Sequence, residues 1–252
     1  MKKHGATGLI FLVLLLSNSP ARAEEIIVSA AASLTDALRE IGKAYQVKSQ
    51  NKVTFSFGAS SDLARQIDEG APVDLFFSAD VEKMENLEKK GRIEGGSRKN
   101  LLSNQLVIVV PKESRLTIRS PVDLLQANVK RIALAEPSSV PVGIYARKYL
   151  EGEGVWEKVK GKVVPVLDVR ATLASVESGN VDVGFIYKTD AAISKRVKVV
   201  YEVTREKGPK IIYPVAIVKE SSKKKSAGDF LRFVLSEAGK KIFEKFGFVV
   251  LE

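Results

Sequence analysis

Four short stretches combine hydroxyl and small side chains with the opening of a helical pattern, and together they could hold an anion. In Ser29-Ala30-Ala31-Ala32-Ser33-Leu34-Thr35-Asp36, Ser33 fits a helix N-cap and Asp36 would complete a Ser-x-x-Asp capping box. Gly58-Ala59-Ser60-Ser61-Asp62-Leu63 again opens a helix with hydroxyls after small residues. Val140-Pro141-Val142-Gly143 places a proline where the first helical residue would sit. In Asp168-Val169-Arg170, Asp168 is the natural cap. A helix start leaves backbone N–H groups unpaired, and its aligned peptide dipoles add positive potential, so an anion can be held there without a charged side chain. Taken singly, each stretch is also ordinary helix capping. The chemistry requires that they converge.

What is missing narrows the chemistry further. Lys2 and Lys3, the apolar run Ile10 to Leu16, and the small-x-small site Ala21-Arg22-Ala23 together read as a secretory signal peptide over residues 1–23. The run is far shorter than the ~20 residues of a spanning helix. Cleavage after Ala23 is expected to release the chain into the periplasm, and without a cysteine there is no site for lipid attachment. The chain's one histidine, His4, would leave with the signal. The remainder would hold neither His nor Cys, which excludes Ser-His-Asp and Cys-His nucleophiles and the usual zinc sites. Loss of Lys2, Lys3 and Arg22 would lower the formal charge from +10 to +7. A basic surface can steer an anionic ligand, and a secreted chain gives no reason to expect nucleic acid. Lys223-Lys224-Lys225, beside Ser221, Ser222, Ser226 and Gly228, reads as a solvated turn.

These positions need a scaffold, and the sequence supplies alternating strand-like and helix-like patterns. Ile26–Val28, Val53–Phe57, Leu75–Phe77, Leu106–Val110 and Val181–Tyr187 are short β-rich runs. Between them, Leu34, Ala37, Leu38, Ile41 and Tyr45 fall at helical spacing. So do Val142, Tyr145, Ala146, Tyr149 and Leu150, and then Val169, Thr172, Leu173 and Val176. Such alternation predicts an α/β fold of mostly parallel sheets flanked by helices, with ligands beyond the carboxyl ends of the strands. No Walker A loop is present. A faint repeat links Gly70-Ala71-Pro72-Val73-Asp74-Leu75 to Gly179-Asn180-Val181-Asp182-Val183: each is a glycine stop, then Val-Asp opening a buried strand. Two similar lobes are the economical expectation.

The ordered motifs Ala30–Thr35, Ser60–Ile67, Gly70–Phe76, Val140–Ala146, Asp168–Arg170, Tyr213–Ala216 and Phe243–Phe248 closely resemble the periplasmic molybdate-binding proteins of ABC transporters, across nearly the whole secreted part. The resemblance implies a type II periplasmic-binding-protein fold with two α/β lobes and a hinge. Lobe 1 would be residues 24–104 plus 213–252, and lobe 2 residues 105–212, with crossings near Ser103 to Leu106 and near Ile212 to Val215. It also implies an oxyanion held by the hydroxyls of Ser33, Ser60 and Tyr187 and the backbone N–H groups of Val142 and Val169. Ser61 is the neighbour most easily confused with Ser60, and Tyr201 and Tyr213 are alternative phenols. Val142 departs from the family, in which a smaller residue often stands there. No cofactor, no direct protein–metal ligand and no catalytic residue is implied. The expected partners are molybdate or tungstate and the membrane permease of an ABC transporter, met by a monomer.

The same residue types admit other readings. A tetrahedral anion without a proton only accepts hydrogen bonds, which suits an all-donor site. Sulfate fits the same description, and phosphate would need an acceptor such as Asp62 or Asp168. A secreted carboxylate-based enzyme is the further alternative. Hydroxymethylbilane synthase shares the fold but carries its cofactor on a cysteine, which this chain lacks.

Overall fold

The computed structural model describes residues 23–251; the expected signal peptide, apart from Ala23, lies outside them. Strand β1 (Glu25–Ala31) is an inner strand buried on both faces, and it passes through a 3-10 turn (Ala32–Leu34) into α1 (Thr35–Ser49). The buried stripe Ala37, Leu38, Ile41 and Tyr45 lays α1 on the sheet, following the helical spacing of those residues. β2 (Lys52–Gly58), α2 (Ser60–Asp68), β3 (Leu75–Phe77), α3 (Val81–Lys89) and β4 (Lys99–Ser103) follow. The chain then enters a second sheet with β5 (Leu106–Pro111) and β6 (Ile132–Ala135). There α4 (Pro141–Gly152), α5 (Trp156–Val159), β7 (Val163–Val166), α6 (Val169–Glu177), β8 (Val183–Tyr187), α7 (Lys188–Ala192) and β9 (Val197–Glu202) complete the second lobe. β10 (Ile212–Ile217) returns to the first sheet, and α8 (Lys224–Leu235), α9 (Glu237–Lys245) and β11 (Val249–Val250) close the chain.

The two sheets have the orders β11-β4-β10-β3-β1-β2 and β7-β6-β8-β5-β9. In each, three parallel strands (β2, β1, β3; β7, β6, β8) are followed by an antiparallel one, β10 or β5. That antiparallel strand is the first to enter after the chain has crossed from the other lobe. The faint repeat thus has a structural counterpart. Gly70 and Gly179 end their helices with φ of +92° and +72°, a conformation costly for any residue with a Cβ. Asp74 Oδ2 then accepts from Ile27 N–H, and Asp182 Oδ2 accepts from Lys130 and Arg131 N–H, each at 2.8 Å. Each carboxylate ties the opening of its own strand to the neighbouring parallel strand.

Three local expectations change. Ser33 lies inside the 3-10 turn and makes no capping bond, so the Ser33–Asp36 box does not form. The Lys223–Lys225 run is only in part the solvated turn expected: Lys223 ends a turn and Lys224 and Lys225 are exposed, but α8 begins at Lys224, Lys223 Nζ donates to the Glu25 carbonyl, and Lys224 pairs with Glu94. The strand expected from Val181 starts at Val183, because Asp182 is occupied with its backbone clamp.

Candidate functional site

Helices α1 (through its 3-10 turn), α2, α4 and α6 follow the carboxyl ends of β1, β2, β6 and β7, the corresponding strands of the two lobes. Their starts meet around one cavity of about 220 Å³. Ser33, Ser60, Val142, Val169 and Tyr187 all line it, together with Ala31, Ala32, Gly58, Ala59, Ala79, Val140, Pro141 and Asp168. Ser61 is not among the lining residues. The small side chains leave the backbone exposed to whatever enters.

Each helix start is prepared differently. In α6, Asp168 Oδ1 accepts from Arg170 and Ala171 N–H at 2.8 and 2.9 Å, and the Asp168 carbonyl accepts from Thr172 N–H at 3.0 Å. Of the first four N–H groups, this leaves Val169 to face the cavity. In α4, Pro141 has no N–H to satisfy, and the Val140 carbonyl takes Ile144 N–H at 2.9 Å. This leaves the N–H groups of Val142 and Gly143, and of the two residues Val142 lines the cavity. Gly143 beside it packs on the end of β6 so closely that a Cβ would stand 2.0 Å from the Ala135 oxygen. In α2, the Ala59 carbonyl accepts from Asp62 and Leu63 N–H, both at 3.1 Å, and Ser60 opens the helix.

The hydroxyls are buried and mostly engaged from behind. Ser60 Oγ accepts a 2.9 Å bond from Ala79 N–H, so its own proton is free for the cavity. Ser33 Oγ lies 3.1 Å from the Tyr213 hydroxyl, which Asn104 Nδ2 also approaches at 3.3 Å. Tyr187 is 1% exposed, and its hydroxyl has no partner among the described residues. Burial pushes its ionisation well above the ordinary tyrosine range, with Tyr213, Tyr145, Asp80 and Asp190 adding to the effect. The phenol stays protonated and can only gain by donating to something in the cavity. Of the alternative phenols, Tyr201 pairs with Tyr149 at 3.0 Å, and Tyr213 stands behind Ser33.

No lysine or arginine is among the lining residues, so the positive potential comes from the helix starts. Asp168, the lining carboxylate, caps its own helix through Oδ1, and Asp62 pairs with Arg65 at 3.3 Å. Arg170 turns away from Asp168. Its Nη2 bonds Asp36 of the first lobe at 2.7 Å, and its Nε lies 2.7 Å from Asp190 Oδ1 in a contact too poorly aligned for a directed hydrogen bond. Burial pushes the Asp190 carboxyl up to about 7, against the pull of Arg170. Asn104, Asp190 and the Arg170–Asp36 contact carry no local mark in the sequence. A larger hollow of about 690 Å³ beside Ile67, Pro72 and Lys223 contains Asp74, an acceptor already engaged by Ile27 N–H and Ser221. It has no convergent donors of the kind found in the smaller cavity.

Residues 26–249 match the family described as bacterial extracellular solute-binding protein. The molybdate-binding protein of Escherichia coli is 38% identical over 237 residues, 92% of this chain and 92% of that one. Its namesake from Haemophilus influenzae is 36% identical over 255 residues, 98% of this chain and 99% of the relative. The periplasmic molybdate-binding protein of Azotobacter vinelandii superposes with a TM-score of 0.81 at 22% identity, covering 90% of this chain and 100% of that one, and so shares the two-lobed fold. With the likeness running through both lobes, the chain belongs to the family of bacterial extracellular solute-binding proteins.

Proposed function

We propose that the protein captures molybdate, or its congener tungstate, outside the cytoplasmic membrane and delivers it to the permease of an ABC transporter. The observation that carries this reading is the buried, unpartnered Tyr187 hydroxyl, in a cavity that two serine hydroxyls and the starts of four helices also line. Molybdate is a dianion without a proton and accepts at every oxygen. In this reading Ser33, Ser60 and Tyr187 donate from hydroxyls, Val142 and Val169 donate from the backbone, and the helix starts balance the charge. Molybdate is cargo, so the protein needs no cofactor and performs no reaction, and one copy of the chain contains the whole site. The chain would be matured by cleavage after Ala23 and act as a periplasmic monomer. The relatives named for molybdate binding support the choice of anion.

The closest competitor is another tetrahedral oxyanion. Phosphate at neutral pH carries a proton that needs an acceptor; Asp62 lies outside the cavity lining and pairs with Arg65, and Asp168 Oδ1 already accepts two backbone N–H groups, which leaves Asp168 Oδ2 as the one carboxylate oxygen at the cavity that could serve. Sulfate carries no proton and is separated by size alone. A thermal-shift panel of molybdate, tungstate, sulfate and phosphate tests the reading. Molybdate and tungstate should raise the melting temperature far more than the others, since a ligand that binds only the folded state stabilises it by mass action. A larger shift with sulfate or phosphate, or none with molybdate, would overturn the assignment.

A further inference from the structure

Asn104 lies in the crossing from β4 to β5 and is 6% exposed. Its Oδ1 accepts from Gln105 N–H at 2.8 Å, and a backbone N–H can only donate, so the orientation of the amide is fixed. The other end must be Nδ2, which reaches Thr189 Oγ1 at 2.9 Å and the Tyr213 hydroxyl at 3.3 Å. The Tyr213 oxygen accepts from Asn104, and Ser33 Oγ, at 3.1 Å, is the one other group bonded to the phenol among the described residues, so the buried phenol proton is satisfied only by pointing to Ser33. Ser33, engaged as an acceptor from behind, turns its proton to the cavity. Each group in this buried chain settles the direction of the next. Ser60 receives the same polarity directly from Ala79 N–H.

We propose that Asn104 is a positioning residue that selects fully deprotonated anions, by fixing through Tyr213 the direction of the Ser33 proton. The inference rests on the molybdate reading above. Monohydrogen phosphate and molybdate carry the same charge and differ in one proton. A proton on the ligand facing an inward-pointing hydroxyl sets donor against donor and leaves both unpaired in a buried place. Discrimination then follows proton count, and its origin is a backbone N–H at the crossing between the lobes.

Asn104→Asp tests this, because it keeps the shape and replaces the Nδ2 donor by an acceptor. Gln105 N–H would hold one carboxylate oxygen and the other would take the Tyr213 proton. The phenol oxygen would then accept from Ser33, whose lone pair would face the ligand. Affinities are measured in mildly alkaline buffer, where phosphate is the monohydrogen dianion, by calorimetry for molybdate and by competition for phosphate. Molybdate affinity should fall about 10- to 100-fold, and its ratio over phosphate should fall by about tenfold or more. The added charge weakens both dianions alike, so the ratio isolates the proton. In a Tyr213→Phe background the same substitution should leave the ratio within about twofold, because the link to Ser33 is gone. A ratio unmoved in the single variant, or moved equally in both backgrounds, overturns the proposal. If Asn104→Asp does not fold, Tyr213→Phe alone should lower the ratio by freeing the Ser33 proton, and an unchanged ratio overturns the proposal. Failure of the unaltered protein to bind molybdate would instead sink the functional reading on which it rests.

Discussion

The Ser60 hydroxyl takes its direction from the Ala79 amide and the Ser33 hydroxyl from a phenol, so the two serines should respond alike to truncation. Ser33→Ala and Ser60→Ala should each weaken molybdate binding by roughly 10- to 150-fold, the worth of a hydrogen bond to a charged group. Ser61→Ala, outside the cavity lining, should change affinity little. Calorimetry in which Ser61 proved dominant would show the helix register to be misread. Ser60→Ala should also lower the melting temperature slightly, because Ala79 N–H loses its acceptor in a buried place. These positions could be read from the sequence because helix starts leave local signatures: small residues, hydroxyls, a proline at the first helical position, an aspartate cap. What each atom does could not be read. Ser33 looked like a cap and is instead the partner of Tyr213, 180 positions away. Asn104 owes its role to Thr189 and Tyr213, 85 and 109 positions distant, and no local pattern marks such a pair.

Four helix starts converge here because each follows a parallel strand, and in α4 the placement depends on a single residue. A Cβ on Gly143 would stand 2.0 Å from the Ala135 oxygen and 2.8 Å from that of Glu136. Both are backbone atoms that cannot swing aside, so the helix itself must move. Gly143→Ala should therefore destabilise the protein by about 1–3 kcal/mol or more, and should weaken molybdate binding by displacing the Val142 N–H. Gly152→Ala, in the last turn of the same helix with nothing within 4 Å of the new carbon, is the control and should be nearly neutral. Equal melting temperatures and equal affinities for the two variants would refute the account. Strands with buried, β-branched or aromatic runs were legible, as in β1, β2, β3, β5 and β8. The others were hidden for physical reasons. β6 is the four residues Ile-Ala-Leu-Ala, which fit a helix equally well. β7 carries Pro165 and lies at a sheet edge, where a missing N–H is tolerated. β10 is an inner strand containing Pro214, accommodated by a bulge between Tyr213 and Pro214.

At the scale of the molecule, the cavity is complete only when both lobes contribute. Ser33 and Ser60 follow strands of the first sheet, whereas Val142, Val169 and Tyr187 belong to elements of the second. The chain passes between the sheets twice, from Ser103 to Leu106 and from Glu202 to Ile212, the second crossing lying just before the expected Ile212–Val215 because Ile212 already opens β10 of the first sheet, and two segments so placed can act as a hinge. Contacts across the cleft favour the closed form without a ligand: Arg170 Nη2 bonds Asp36 at 2.7 Å, and the Tyr145 hydroxyl donates to the Ala79 carbonyl at 3.4 Å. The Arg170–Asp36 pair is partly exposed, at 26% and 39%, so it contributes no more than about 1 kcal/mol and biases the equilibrium rather than locking it. A ligand that touches both lobes binds the closed form preferentially and adds its own differential affinity to that bias. Asp36→Asn separates the two contributions, since it weakens the cross-cleft pair and leaves every proposed ligand contact in place. By solution scattering, the ligand-free variant should have a larger radius of gyration than the ligand-free parent, and molybdate should bring both to the same compact value. Molybdate should also leave the variant faster, by a few-fold, because closure is less strongly held. A radius of gyration that molybdate does not change in Asp36→Asn, with binding shown by calorimetry in the same sample, would mean that the cleft does not close on its ligand.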